Sequence, residues 1–156
     1  MSQYKIPEKV QKLGVDINLD QLKYHHRRVG VVKEFTFDAA HHLHAYDGKC
    51  VNLHGHTYRL IMKWSGYVNA IGIVVDFSAV KQIFKERIES RMDHQYLNEI
   101  LPPMNTTAEN MIVWIWEELT DALSNYQEQS VRLEELTLYE TPTSYAFLKR
   151  EWMEEA

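Results

Sequence analysis

The sequence predicts an α+β protein with element order ββααββ: a four-stranded antiparallel sheet carrying two helices on one face. Three observations lead there. Apolar residues recur at every second position across 31–41 and 57–67, the period of a half-buried strand. In the middle of the chain the period becomes helical, and two more strand-like runs follow. Strands on short connections around two central helices make a sheet covered on one side.

Residues 1–28 are mixed and polar, without a sustained period, and read as an extension that is partly ordered at most. Residues 29–156 form the single domain. In "VVKEFTFDAAH" Phe35, Phe37, Ala39 and His41 share one face, and Glu34, Thr36 and Asp38 the other. The connection "HAYDGKCVN" carries the turn residues Asp47 and Gly48. "TYRLIMKWSGY" then sets Tyr58, Leu60, Met62 and Trp64 against Arg59, Lys63 and Ser65. From Phe77 to about Met92, Val80, Ile83, Phe84 and Ile88 form a helical stripe. "LPPMNTTAEN" ends one helix and starts another, with Thr106 and Glu109 in a capping-box pattern. This second helix runs to about Leu123 and buries Ile112, Ile115, Trp116 and Leu119. A polar turn leads to "VRLEELTLYE" and "TSYAFLK", strands joined at Thr141-Pro142. Such a sheet has open edges, which oligomerisation into a ring would close.

A chain of 156 residues can bury one core, and 45% hydrophobic with 25% charged residues is an ordinary globular composition. The net charge of −5 gives no basis for binding nucleic acid or an anionic membrane. No run approaches the roughly 20 apolar residues of a membrane span. The N-terminus lacks a signal peptide's apolar core. A single cysteine forms no internal disulfide, so the cytoplasm is the expected compartment.

"CVNLHGHTY" holds the densest chemistry. Residues i and i+2 of a strand point the same way, so His54 and His56 can share one ion. "AAHHLH" offers a third ligand, and parity selects His41 over His42 and His44 if the Phe35/Phe37/Ala39 face is the enclosed one. Three imidazoles with an open position make a catalytic zinc site. Cys50 has two readings: a fourth ligand closing a structural Cys-His₃ site, or a thiol near a cation that moves protons. Spacing alone does not separate them. Asp93-His94, just past the first helix, is a carboxylate–histidine pair suited to proton transfer or to helix termination. Glu140, in phase with Leu136 and Leu138, places a carboxylate on an apolar face, where it needs a partner with N–H donors.

The pieces "FTFDAAHHL", "CVNLHGHTY", "VVDFSAVK", "MDHQYLN", "NTTAENMIVWIWEEL" and "YETPTSY" together resemble the 6-pyruvoyltetrahydropterin synthase family, in family order from Val31 to Leu148. The resemblance implies the tunnelling fold (T-fold), assembled as trimers that stack into a hexamer with sites at subunit interfaces. It implies zinc on His41, His54 and His56, with Cys50 catalytic. Asp93 and His94 would be a proton relay given to a neighbouring subunit. Glu140 would hold the pterin's N–H groups, with Thr106 and Thr107 beside the ring. Three residues separate Cys50 from His54, as in the family's carboxytetrahydropterin branch. The pyruvoyl-forming branch usually has a longer insertion there, and a further branch replaces the cysteine by glutamate. The implied reaction turns 7,8-dihydroneopterin triphosphate into 6-carboxytetrahydropterin, acetaldehyde and triphosphate, toward queuosine. Rival readings are 6-pyruvoyltetrahydropterin formation, action on sepiapterin, or a non-catalytic zinc protein. Lys49, Arg59 and Arg27 are candidates to hold the triphosphate. The extension and the turn around "VNAIG" depart from the family pattern.

Overall fold

Alternation of large apolar with polar side chains drives two 14-residue strands together. β1 (Arg28–His41) and β2 (His54–Tyr67) pair antiparallel from Arg28↔Tyr67 to His41↔His54. The computed structural model describes residues 4–126 and 130–155. The first three residues of the extension, 127–129 in the polar turn, and residue 156 lie outside the described residues. Between 4 and 27 the chain makes only a short 3-10 turn at Leu19–Gln21 and an isolated bridge from Leu13 to Ile17.

After β2 the side chain of Asp76 accepts a hydrogen bond from the Ser78 amide and starts α1 (Phe77–Phe84). A π-helical turn (Lys85–Glu89) carries it into α2 (Ser90–Met92). The turn has a readable cause. Val80, Phe84, Ile88 and Met92 are all buried, and residues four apart drift by about 40° per step around an α-helix. One wider turn takes up that drift and returns Ile88 and Met92 to the core. Next come β3 (Gln95–Tyr96), α3 (Leu97–Ile100), the long α4 (Ala108–Ser124), β4 (Arg132–Thr141), β5 (Ser144–Lys149) and α5 (Arg150–Met153).

The α+β class is as expected, but the sheet is not four-stranded and purely antiparallel. Its order is β3-β1-β2-β4-β5, with β3 joining β1 in parallel through Ala39↔Gln95 and Ala40↔Tyr96. Two residues carry no alternation, so periodicity had nothing to report. The helix-facing side buries Phe37, Tyr58, Leu60, Met62, Trp64, Leu136 and Leu138 against Val80, Phe84, Ile112, Ile115 and Leu119. Each such side chain contributes about 1.5–3 kcal/mol of transfer free energy.

At the end of the sheet where β1 starts, the β2–β4 register shifts between Lys63 and Trp64. Glu134, beside that bulge, is then held by Ser65, Arg132 and Arg150 at 2.5, 2.5 and 3.3 Å. Burial works against its ionisation, yet these hydrogen bonds hold its carboxyl at about 2. A depressed folded-state pKa stabilises fully above the ordinary carboxyl value and is lost as pH falls through the folded one. Glu134→Gln is therefore expected to lower stability at pH 7 by roughly 1 kcal/mol, solvent screening limiting the effect. Thermal unfolding from pH 7 to 2 checks it: the gap to wild type should close between pH 4.5 and 2. A gap that persists at pH 2 would show that shape, not charge, sets the loss.

Candidate metal centre

The register of β1 on β2 brings His41 opposite His54 and Ala39 opposite His56, all on the helix-facing side. One ring nitrogen each from His41, His54 and His56 lies within 4.8 Å of the others. His41 is fully buried, while His54 and His56 are half-buried.

Backbone carbonyls set two of the ring tautomers. A carbonyl only accepts, so His41 Nδ1–H donates to the Thr106 carbonyl at 2.8 Å, and His54 Nδ1–H to the Asn52 carbonyl at 2.7 Å. Both Nε2 atoms are thereby left as lone pairs, facing each other at 3.1 Å. Glu140 Oε1 adds another acceptor, 3.3 Å from His41 Nε2 and 3.5 Å from His56 Nε2. Acceptors at these separations repel unless a cation lies among them, and three imidazoles are a zinc-type donor set. Burial holds His56 below the ordinary imidazole value, against the opposing pull of Glu140, and the lowered value favours the neutral ligand form. Burial also pushes Tyr58 up, so this neighbour stays a neutral phenol.

Strand parity discriminates the histidines as read from the sequence. His42 turns away and stacks on Tyr96 with ring centres 5.9 Å apart. Cys50, half-buried in the short turn Lys49–Val51, is not a member of the three-histidine group. Its carbonyl accepts from the Leu43 amide at 2.8 Å, which ties the Cys50 turn to the segment just past His41.

Two expectations shift. Thr106 is not the helix cap: Thr107 is, accepting from the Asn110 amide at 3.2 Å. The Thr106 hydroxyl lies fully buried behind His41, 3.1 Å from Nδ1, so Thr106 also orients a histidine ring. Glu140 faces the histidine rings themselves, in addition to any ligand it meets.

Asp93 and His94 stand outside the three-histidine group, although His94 and His56 line one cleft of about 540 Å³. The Asp93 carboxylate accepts from the Asp38 amide at 3.0 Å, and the His94 amide donates to the Asp38 carbonyl at 2.6 Å. The pair is thus mounted on the free edge of β1. His94 has φ 58 and an exposed ring, 2.9 Å from Asp93 through Nδ1. No hydrogen bond or ion pair among the described residues links the pair to the three histidines. The Asp93 contact raises His94 above the ordinary value, and the Asp38 amide, ahead of His94, lowers Asp93.

The sequence reading missed Asn98 and Asn105. The Asn98 side chain bonds both backbone groups of His42 at 3.0 Å, and Asn105 bonds those of His44 at 2.7 and 3.0 Å. Each amide copies a strand partner, which docks the 97–107 segment on the end of β1 and seats Thr106. Asn98 is one polar position of the short α3, and Asn105 follows two prolines and reads as a turn residue, so no signal marked either.

A family signature described as 6-pyruvoyl tetrahydropterin synthase matches residues 30–151. The 6-carboxy-5,6,7,8-tetrahydropterin synthase of Haemophilus influenzae is 36% identical, over 74% of this chain and 94% of that protein. The 6-pyruvoyl tetrahydrobiopterin synthase of Dictyostelium discoideum is 32% identical, over 67% and 76% respectively. Among solved structures, Caenorhabditis elegans 6-pyruvoyl tetrahydropterin synthase superposes with a TM-score of 0.70 at 27% identity, covering 81% of this chain and 98% of that one. The extension before residue 30 lies outside the matched family region.

His41→Ala is expected to abolish stoichiometric zinc binding, and His42→Ala to leave it intact, in metal analysis of the purified proteins. Full zinc content in His41→Ala would break the assignment made from parity.

Proposed function

The chain belongs to the 6-pyruvoyl tetrahydropterin synthase family, and from that premise we propose that it converts 7,8-dihydroneopterin triphosphate to 6-carboxy-5,6,7,8-tetrahydropterin. One water is consumed, and acetaldehyde and triphosphate are the other products, which makes it a zinc-dependent lyase of queuosine precursor biosynthesis. Similarity to named pterin synthases supports a pterin-processing enzyme. The observation that carries the chemistry is the three-histidine cluster, in which the Nε2 lone pairs of His41 and His54 face inward where one cation can share them.

His41, His54 and His56 are the proposed zinc ligands. Bound there, zinc would act as a Lewis acid toward negative charge developing on the substrate's side-chain oxygens. The chain's own groups do the rest. Cys50, outside the ligand group yet tied by its turn to the end of β1, exchanges a proton with the substrate side chain. Asp93 holds the His94 imidazole oriented and raises its proton affinity, which suits it to deliver a proton. The pair stands exposed on an edge strand, so it serves the centre of a neighbouring copy in a ring-shaped trimer or stacked hexamer. Glu140, Thr107 and the backbone around Thr106 position the pterin.

The Dictyostelium relative favours a second reading, in which the product is 6-pyruvoyltetrahydropterin. Incubation with dihydroneopterin triphosphate and identification of the product decides between them. Acetaldehyde marks the first reading, and its absence with substrate consumed marks the second.

Cys50→Ala is expected to keep one zinc per chain while turnover falls by about 10²–10⁴. Zinc lost from this variant would instead make Cys50 a ligand of a structural site. For the relay, Asp93→Asn removes the contact that raises His94, so the His94 pKa should fall toward its ordinary value. The limb of the pH–rate profile that His94 governs then moves to lower pH. A limb that stays in place would remove the pair from the reaction.

A further inference from the structure

Pairing of β2 with β4 ends at Arg59↔Tyr139, while β2 runs on to His54 held by β1 alone. Beyond Tyr139 the β4–β5 ladder also shifts register before Thr141. Where the strands part, a cleft of about 540 Å³ opens. Its walls include Arg59 and Tyr139, the threonines 36, 57 and 141, and His56 and Glu140 of the metal centre. Arg59, Thr57, Tyr139 and Thr141 belong to the sheet face opposite the histidines, so the cleft joins the centre to that outer face.

The charges along the cleft are unequal. Glu140, on its wall, faces histidines. Arg59, also on the wall, sets its guanidinium over the Tyr139 ring, 4.1 Å from its centre, which fixes its orientation. Among the described residues Arg59 enters no ion pair. Lys63, further along the same face, differs: its ammonium is held by Glu135 at 2.6 Å. Glu34 and Asp38 flank Thr36 on this face; Asp38 accepts from the Thr57 hydroxyl, and among the described residues neither carboxylate forms an ion pair with Arg59. A half-buried, pre-oriented guanidinium without a carboxylate partner is suited to the two-pronged binding of phosphate oxygens. The hydroxyls of Thr36 and Thr141 can add neutral donors.

The geometry points to this cleft as an oligophosphate subsite anchored by Arg59. It rests on the proposed substrate only for the source of the ligand, the triphosphate tail of a pterin bound at the metal centre. Arg27, the competing candidate, precedes β1 at the end away from His41, roughly 45 Å along the strand. Lys49 is not among the residues that line the cleft.

Calorimetric titration with inorganic tripolyphosphate tests the subsite without requiring turnover. Wild type is expected to bind, and Arg59→Gln to bind at least about tenfold more weakly, with zinc content and circular dichroism unchanged. Arg59→Lys keeps a charged stem on Tyr139 but loses the two-pronged contact, so a several-fold loss is expected from it as well. Lys63→Gln should bind like wild type. In turnover, Arg59→Gln should raise KM for dihydroneopterin triphosphate. No binding by wild type, wild-type affinity in either Arg59 variant, or an equal loss in Lys63→Gln would overturn the assignment. If wild type binds tripolyphosphate through Arg59 but does not turn over the pterin triphosphate, the proposed reaction fails and the subsite stands.

Discussion

The pairing register of β1 with β2 is the constraint on which the rest of the molecule depends. Along these strands the same alternation that buries Phe37, Tyr58, Leu60 and Met62 also sets His41 beside His54 and His56. A slip of one residue would turn every side chain of one strand to the opposite face. It would expose the core and scatter the imidazoles in the same event. The three-histidine cluster therefore needs no separate device to choose its register, because hydrophobic burial already holds it. Many core contacts, each contributing about 1.5–3 kcal/mol, outweigh the mutual repulsion of the His41 and His54 lone pairs at one end.

A second layer then orients what the register assembles. Asn98 and Asn105 extend the hydrogen bonding of β1 past its last paired residue and bring Thr106 behind His41. Each such bond has a net worth of only about 0.5–1.5 kcal/mol. Their larger effect is directional: they decide which nitrogen of the ring carries the proton, and so which one faces inward. The two ends of the sheet differ in the same sense. At the far end Glu134 is surrounded by Ser65, Arg132 and Arg150 and its charge is matched. At the histidine end acceptors face acceptors, and Arg59 has no carboxylate partner among the described residues.

Much of this was legible in the chain, for reasons that can be named. The strands are long and alternate cleanly, so their faces, and with them the choice of His41 over His42 and His44, followed from parity. The stripe Val80, Ile83, Phe84 and Ile88 identified a helix because its period is helical. What escaped was short or depended on a partner distant in sequence. β3 has two residues and no period. The helix cap moved from Thr106 to Thr107 because the Thr106 hydroxyl is drawn to His41, 65 residues away in the chain. The π-helical turn answers to the core that Ile88 and Met92 must reach, which a helical wheel drawn for the segment alone does not contain.

By itself the sequence determined which residue types lie on which face, and hence the class of the fold, the three-histidine set and the family. Local chemistry suffices there, since a side chain's face depends only on its position in a regular element. Tertiary structure alone decided the tautomers of His41 and His54, the contact of Glu140 with the rings, and the mounting of Asp93 and His94 on the free edge of β1. It also decided that β2 and β4 part after Arg59. These outcomes depend on distances between elements remote in the chain. Such distances arise only when the sheet twists, the ladder ends and the loops dock.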